Sequence, residues 1–451
     1  MTVLTLDIFV IISVTEEENA TMPIITGRMF QHLDGHKDLT NHTDVLTIKD
    51  PDVLYIPLMN GNAPCNPLVK VGDEVKVGTK IAERNDHFYL PLFSPVSGTV
   101  TGIEKRMTTA MKMADHLRIE NDHKNTEEQA FEPLDYESAS NEELLNFVKN
   151  AGMLGLGGAG FPTYVKFLKP ENVDLFIVNG VECEPYLTAD YKNMLANMDL
   201  LKVGSLALLK LSQAKKGCIS VKEDKKDLIA ELQKTFAGTA IEVRPVPDIY
   251  PAGWERTLVY LLTKKRYDRL PIEAGCILNN ASTAIALGNA LVNGKPITRK
   301  YVTVSGDGVA NPQNVIVPIG MPAHDVVTAC GGYLSDECVI CAGGPMMGTA
   351  VPNDTFVIGP ANNGLTIFVK KDEESVKCLR CGKCTESCPS GLQPVRINAA
   401  EKTKNIEALK NLDVASCIEC GLCTYVCPSK LDVTEGIRRA KRYMALMAKK
   451  K

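Results

Sequence analysis

The sequence predicts a multidomain protein of mixed α/β and α+β class, and three observations carry that prediction. At 451 residues the chain is longer than one hydrophobic core organises, so three or four domains are expected. Between residues 152 and 300, strand-like and helix-like stretches alternate, the pattern of a sheet with crossover connections. Near the end one cysteine phrase is written twice, as Cys378-x2-Cys381-x2-Cys384-x3-Cys388-Pro389 and as Cys417-x2-Cys420-x2-Cys423-x3-Cys427-Pro428.

The composition sets bounds. A hydrophobic content of 45%, a charged content of 23% and a net charge of −4 give no electrostatic case for nucleic acid. The remaining cysteines, Cys65, Cys183, Cys218, Cys276, Cys330, Cys338 and Cys341, are scattered without a disulfide framework, which with cluster-type thiolates predicts a reducing, cytoplasmic setting. An apolar run at 8–14 follows Asp7 and precedes Glu16, Glu17 and Glu18; it is far short of the roughly 20 residues of a spanning helix, and no basic leader marks a signal peptide. It reads as a short strand or an extension upstream of Met22. No stretch of the chain is long and apolar enough for a direct membrane span, so a membrane role must come through partners.

From 52 to 105, short β-rich pieces alternate with turns, with Gly72-Asp73 and Gly78-Thr79 as hairpin corners. The Val-x-x-Gly-Asp-x-Val-x-x-Gly pattern, followed by Ser97-Gly-Thr-Val100, resembles the barrel-sandwich hybrid fold of lipoyl and biotinyl carriers. Those carriers need a lysine at a hairpin tip, and Asp86-His87-Phe88 offers none, so a docking module is expected over 22–126. Residues 127–141 are acidic and irregular, a linker. Asn141–Asn150 reads as a helix with Leu144, Leu145 and Val148 as its apolar stripe. Strands are expected at Leu175–Asn179, 219–222 and 241–246, and helices at 199–211 and 224–236, within an α/β domain spanning 141–300. Residues 301–306 and Gln313–Pro318 predict a small β-grasp-like module over 301–350. Residues 367–371 lead into a last domain, 366–451.

The doubled phrase points to two [4Fe–4S] clusters. Three thiolates separated by two residues each wrap one face of a cubane cluster, and the fourth lies too far along the chain to close the same cube. In two-cluster ferredoxin folds the fourth Cys ligates the other cluster, which assigns Cys378, Cys381, Cys384 and Cys427 to one and Cys417, Cys420, Cys423 and Cys388 to the other. Structural zinc is the rival, but zinc sites seldom repeat a 2-2-3-Pro spacing. The phrases are 39 residues apart by their numbering, enough for a helix between them at 394–412.

Gly155-Leu-Gly157-Gly158-Ala-Gly160-Phe161 packs four glycines into six residues, so that backbone N–H groups approach a phosphate without Cβ obstruction. Glycines alone fit a tight turn equally well. Lys166 lies close behind, however, and Asn179-Gly-Val-Glu182-Cys-Glu184-Pro185 ends an expected strand, where α/β folds bind ligands.

These residues resemble the flavin site of the flavoprotein subunit of respiratory complex I. The resemblance implies a non-covalent FMN, with NAD(H) over its ring: Gly155, Gly157, Gly158, Gly160, Lys166, Asn179, Glu182 and Glu184 around the flavin, and Phe161 stacked on the nucleotide. Tyr250-Pro-Ala-Gly253-Trp254-Glu255 is similar to that family's Tyr-x-x-Gly-x-Glu loop, and Asn279-Asn280-Ala-Ser-Thr283 to its segment beside the isoalloxazine.

The domain order resembles the RnfC (RsxC) family, a subunit type of the Rnf (Rsx) ion-translocating electron-transport complexes, from about Met22 onward. What that implies is a peripheral subunit on the cytoplasmic side of the plasma membrane, moving electrons between NAD(H), FMN and two clusters. Membrane partner subunits would link it to ferredoxin indirectly and to Na⁺ or H⁺ movement. The family's Gly-Gly-Ile-His-Pro-Pro start appears here as Phe30-Gln31-His32-Leu33-Asp34-Gly35-His36, its Gln-His-x-Gly-Ala-Pro as 59–64, and Ala252 and Trp254 interrupt its Tyr-Pro-Gln-Gly-Gly-Glu. Two rivals stand beside this reading: a soluble cobalamin-reductase-like paralogue, against which the hybrid domain counts, and a cluster scaffold whose flavin site Trp254 blocks. His32, His36 and His42 read as an exposed docking surface rather than a metal site, Cys338 and Cys341 as core thiols, and Cys183 as a neighbour of the flavin.

Overall fold

The hybrid domain pairs two small sheets face to face. In one, Val53–Pro57, Met113–Asn121, Gly98–Met107 and Glu74–Val75 run antiparallel in that order; in the other, Asn66–Pro67, Lys80–Asn85 and Tyr89–Phe93 do. Alternation along these strands turns Leu54, Ile56, Val75, Ile81, Val100, Leu117 and Ile119 into one buried core. Gly72 and Gly78 take φ of 95° and 98° at the expected corners, a region that glycine enters without Cβ strain. The computed structural model describes residues 32–158, 160–371 and 374–449, so the expectation for 8–14 falls outside it.

The second domain is entered through the helix Asn141–Asn150. Ser140 and Glu143 cap it reciprocally, which satisfies two N–H groups that a helix start leaves open. Behind it stands an all-parallel sheet in the order Ile241–Val243, Gly217–Ser220, Leu175–Asn179, Cys276–Asn280. The order reverses between Leu175–Asn179 and Cys276–Asn280, so these strands flank the topological switch point, the crevice where doubly wound sheets bind ligands. Register sets Asn179 opposite Asn280 and Val178 opposite Asn279 there. Met198–Ser212 and Ala281–Asn293 cross closely, because a Cβ on Gly204 would come within 1.8 Å of the Ala284 carbonyl oxygen.

The third unit is a sheet ordered Leu46–Thr47, Gln313–Pro318, Arg299–Ser305, Gly364–Val369, Cys338–Ala342, Thr349–Val351, with Ala323–Ala329 packed on it. Its strand Gly364–Val369 lies in the middle, where the sequence suggested only a lead-in to the last domain. Leu365 and Ile367 are fully buried there, and this apolar pair holds the segment in the sheet.

The last domain is helical around Ile397, Leu409, Val414, Val433 and Ile437. The helix expected over 394–412 is two, Pro394–Lys402 and Ile406–Asn411. Lys404 is left-handed at φ 52°, and the Asn405 side chain accepts from Ala408 N at 3.0 Å, restarting the helix. Among the described residues, no helix is long and apolar enough to cross a membrane.

Candidate functional site

Residues 155–158 of the glycine loop lie across the amino end of Ala281–Asn293. Leu156 N donates to Thr283 Oγ1 at 2.9 Å and Thr283 Oγ1 donates to Leu154 O at 3.2 Å. A Cβ on Gly157 would meet Asn280 Nδ2 at 2.5 Å, whereas one on Gly158 would meet nothing within 4 Å. Gly157 is therefore needed for packing, and Gly158 borders open space. Asn280 caps the helix, accepting from Ser282 N and Thr283 N, and donates from Nδ2 to Asp190 Oδ2 at 2.7 Å.

On the neighbouring strand end, Asn179 Nδ2 donates to Gly253 O at 2.9 Å and its Oδ1 accepts from Val181 N at 3.0 Å. A Cβ on Gly253 would come within 2.2 Å of Val181 O, so only glycine allows that approach. Lys166 Nζ donates to Leu278 O at 2.7 Å; burial pushes its ammonium below the usual lysine value, opposed by the charge of Glu255. Glu255 also accepts from Tyr267 OH at 3.2 Å. Glu182 accepts from Asp190 N at 3.0 Å and stands 4.0 Å from Lys37 Nζ. Burial drives both partners toward their neutral forms, Glu182 upward and Lys37 down to about 8. Lys37 Nζ also donates to Glu184 O at 3.1 Å and to Leu187 O.

Glu184 reaches toward the last two units. Its Oε1 accepts from Met346 N at 2.7 Å and Met347 N at 2.9 Å, while Tyr250, 1% exposed, donates to Cys420 O at 2.7 Å. Cys183 lies beside Gly253, and burial pushes its thiol up to about 11. Trp254 precedes the helix Glu255–Thr263, with the Arg256 guanidinium 5.9 Å from its ring centroid.

Phe161 stands apart from this convergence. It is 39% exposed and meets Phe88 of the hybrid domain edge to face at 5.4 Å. A cavity of about 410 Å³ is lined by Gly158 and Gly160, the hybrid-domain residues Met59–Asn60, and residues 359–362. A larger one, about 650 Å³, is lined by Asn193, Ser282, Lys300 and Tyr301 and by none of the flavin residues expected from the sequence.

The residues fit a flavin. Asn279 Oδ1 is a buried acceptor without a protein partner, and a ligand's hydroxyl or imide N–H would satisfy it. Asp190 and Asn60 escaped the sequence reading. Asp190 follows Glu-Pro in a stretch without a motif of its own. Asn60 lies in a segment that departs from the resembled pattern, yet its Nδ2 donates to Gly160 O at 2.8 Å and its Oδ1 accepts from Arg84 at 2.9 Å.

The two cysteine phrases fold alike. Gly382 and Gly421 both take φ of 79°, each opening a one-turn helix, Lys383–Glu386 and Leu422–Tyr425. Arg380 N donates to Cys378 Sγ and Glu419 N to Cys417 Sγ, both at 3.4 Å. Cys388, Cys417, Cys420 and Cys423 together line one small cavity; burial pushes the thiols of Cys417, Cys420 and Cys423 up, and the nearby Cys388 adds to the rise in each. Four thiols around one small void form the donor set of an iron–sulfur cluster. Cys338 and Cys341 lie half-buried in the strand Cys338–Ala342. His32 Nδ1 is 3.3 Å from Asp248 O, and His36 stacks on Tyr186 at 4.7 Å.

Comparison with known proteins matches four family models in order: the RnfC barrel sandwich hybrid domain at 31–124, the Nuo51 FMN-binding domain at 148–289, the SLBB domain at 301–350 and a 4Fe-4S dicluster domain at 377–431. A subunit of the proton-translocating ferredoxin:NAD(+) oxidoreductase complex of Clostridium ljungdahlii is 34% identical over 372 residues, covering 80% of this chain and 81% of that one. Its counterpart in the Na(+)-translocating ferredoxin:NAD(+) oxidoreductase complex of Acetobacterium woodii is 33% identical over 359 residues, covering 77% and 81%. The corresponding subunit of the ion-translocating oxidoreductase complex of Rhodobacter capsulatus is 30% identical over 388 residues, covering 83% and 75%.

Proposed function

The chain belongs to the RnfC family of ion-translocating oxidoreductase subunits, and from that membership we propose that it is the NAD(H)-linked electron-transfer subunit of such a complex. It carries an FMN-binding domain of the Nuo51 type and a 4Fe-4S dicluster domain. In this reading it sits on the cytoplasmic side of the plasma membrane, and membrane partner subunits link it to ferredoxin and to Na⁺ or H⁺ transport.

FMN supplies the exchange between the two-electron chemistry of NAD(H) and the one-electron chemistry of clusters. The chain's own residues hold and enclose it. Gly157 and Gly158 give backbone access beside the helix start at Ala281, where N–H groups favour a phosphate. Lys166, Asn179, Glu182, Glu184, Asn279 and Asn280 meet the ribityl and ring groups at the switch point, with Gly253 and Glu255 closing the far side. Phe161 forms the rim for the nucleotide, which enters through the cavity beside Gly158 and Gly160. The eight phrase cysteines hold the clusters in the crossed sets, with Cys388 serving the second phrase and Cys427 the first.

The observation that carries this reading is the direct hydrogen bond from Tyr250, in the flavin-side loop, to Cys420, in a cluster loop. It makes the two redox regions one packed unit. The test is anaerobic purification followed by cofactor release: FMN with about eight iron per chain is expected from two cubanes. Zinc in place of iron, or a flavin-free protein inert to NADH, contradicts the proposal.

A further inference from the structure

The two cysteine phrases are alike in backbone, yet they stand in opposite surroundings. The loop of the second phrase is closed in. Cys420 is 7% exposed and packs with Leu33, Tyr250 and Leu422, and Gly421 lies so near Met346 that a Cβ would come within 2.5 Å of its carbonyl oxygen. The loop of the first phrase is open. Among the phrase cysteines, Cys378 and Cys381 are the exposed ones, whereas Cys417 is half-buried and Cys420 and Cys423 are buried.

Large apolar side chains stand out around the open loop. Leu379, between the two exposed thiols, is 65% exposed, and Val376 is 54% exposed. Tyr425, 58% exposed, lies on the one-turn helix Leu422–Tyr425 that packs against Lys383–Glu386. Lys377, Arg380 and Lys383 are exposed among them, with Glu374 and Glu386 at the ends of the loop. The wider domain agrees in sign: from Lys377 to the end, the chain has fifteen Lys and Arg against seven Asp and Glu, although its overall net charge is −4.

We propose that the loop at 376–383, with Leu379 at its tip and a rim of Lys377, Arg380 and Lys383, is the docking surface for a one-electron redox protein with an acidic rim. The inference rests on the clusters of the proposed function and adds which of them meets the partner. The cluster of Cys417, Cys420, Cys423 and Cys388 faces the flavin domain, and that of Cys378, Cys381, Cys384 and Cys427 faces outward.

The physical reason is distance. Electron transfer weakens steeply with separation, so a cluster whose thiol ligands lie at the surface lets a partner's centre approach closely. Apolar tips exclude water from such a contact, while the cations steer an acidic partner and fix its register. An anionic lipid surface would use the charge but take up no electron, and would leave the exposed thiols without a role. The step itself is small: one electron passes between the outward cluster and the partner's centre, one is oxidised as the other is reduced, and no bond or proton is exchanged.

The test uses the holoprotein with both cofactors, and a small acidic [2Fe–2S] protein, pre-reduced, as the probe. Stopped-flow oxidation of the probe is followed at low and high salt in the wild type, in the double variant Lys377→Glu with Lys383→Glu, and in Leu379→Ser. The expected result is a rate at least tenfold lower in the double variant at low salt, converging with wild type at high salt, and a severalfold loss for Leu379→Ser at both. Cluster signals by electron paramagnetic resonance and NADH bleaching of the flavin should be unchanged in each. A salt-insensitive wild-type rate that the variants share overturns the docking surface. So does a probe rate unaffected by the double variant when the wild type, but not the variant, floats with vesicles containing anionic phosphatidylglycerol. A wild type without cluster signals overturns the redox reading as a whole, which separates the two failures.

Discussion

Tyr250 OH donates to the backbone carbonyl oxygen of Cys420 at 2.7 Å, joining residues 170 apart in the chain inside a buried contact. Burial and the charge of Glu184 hold the phenol far above its usual pKa, so it stays protonated and keeps donating across the working pH range. Replacing it with Phe leaves the Cys420 carbonyl desolvated without this donor, a cost of about 1–3 kcal/mol. Tyr250→Phe is expected to shift the midpoint potential of one cluster and leave the other unchanged, as read by redox-poised electron paramagnetic resonance.

Crossed ligation gives a sharper expectation. Cys388 belongs to the first phrase by sequence but lines a cavity with Cys417, Cys420 and Cys423. In Cys388→Ala the signal that disappears should be that of the second phrase's cluster, and iron should fall to about half of the eight expected for two cubanes. Loss of the first phrase's signal alone would mean uncrossed ligation.

The hybrid domain should matter to the flavin. Asn60 bonds both Gly160 O and Arg84, and Arg84 stacks on Phe88, which meets Phe161. Asn60→Ala removes a buried link worth about 1–3 kcal/mol from the glycine loop. Weaker FMN retention is the expected outcome, measured as flavin remaining after gel filtration, with the cluster signals intact.

Stability should depend on pH through Lys300. Burial holds this ammonium down at about 8 while its Nζ donates to Leu156 O at 2.5 Å; an unfolded lysine titrates near 10.4. The unfolded chain therefore binds more protons between those values, so this group penalises folding fully below pH 8 and progressively less as pH rises. From pH 8 to 9 its contribution improves by about 1 kcal/mol, and Lys300→Met should remove that increment in urea unfolding. Above pH 9 buried thiols such as Cys183, pushed up to about 11, act in the opposite direction, which sets the upper limit of the window.

Local rules made much of this molecule legible. The helix Asn141–Asn150 and the strand Leu175–Asn179 have their expected limits, because a capping box and a continuous apolar run act within a few residues. The cysteine phrases and the glycine loop were visible because their spacing is itself the chemistry. The break at Lys404 was hidden, since nothing in the apolar pattern of 394–412 marks a left-handed residue. The place of Gly364–Val369 in the middle of a sheet depends on partners far away in sequence. Asn60 and Lys37 matter to the site through contacts between units, and Asp190 through hydrogen bonds to Glu182, Asn280 and Ser282 within the flavin domain, and no motif announces such contacts.

An anaerobic NADH titration of the purified protein, followed by visible absorbance and electron paramagnetic resonance, tests the central claim most directly. NADH is expected to bleach a bound FMN, and signals of two distinct [4Fe–4S] clusters are expected to respond to reduction. A protein whose absorbance and resonance spectra stay unchanged on adding NADH would contradict it.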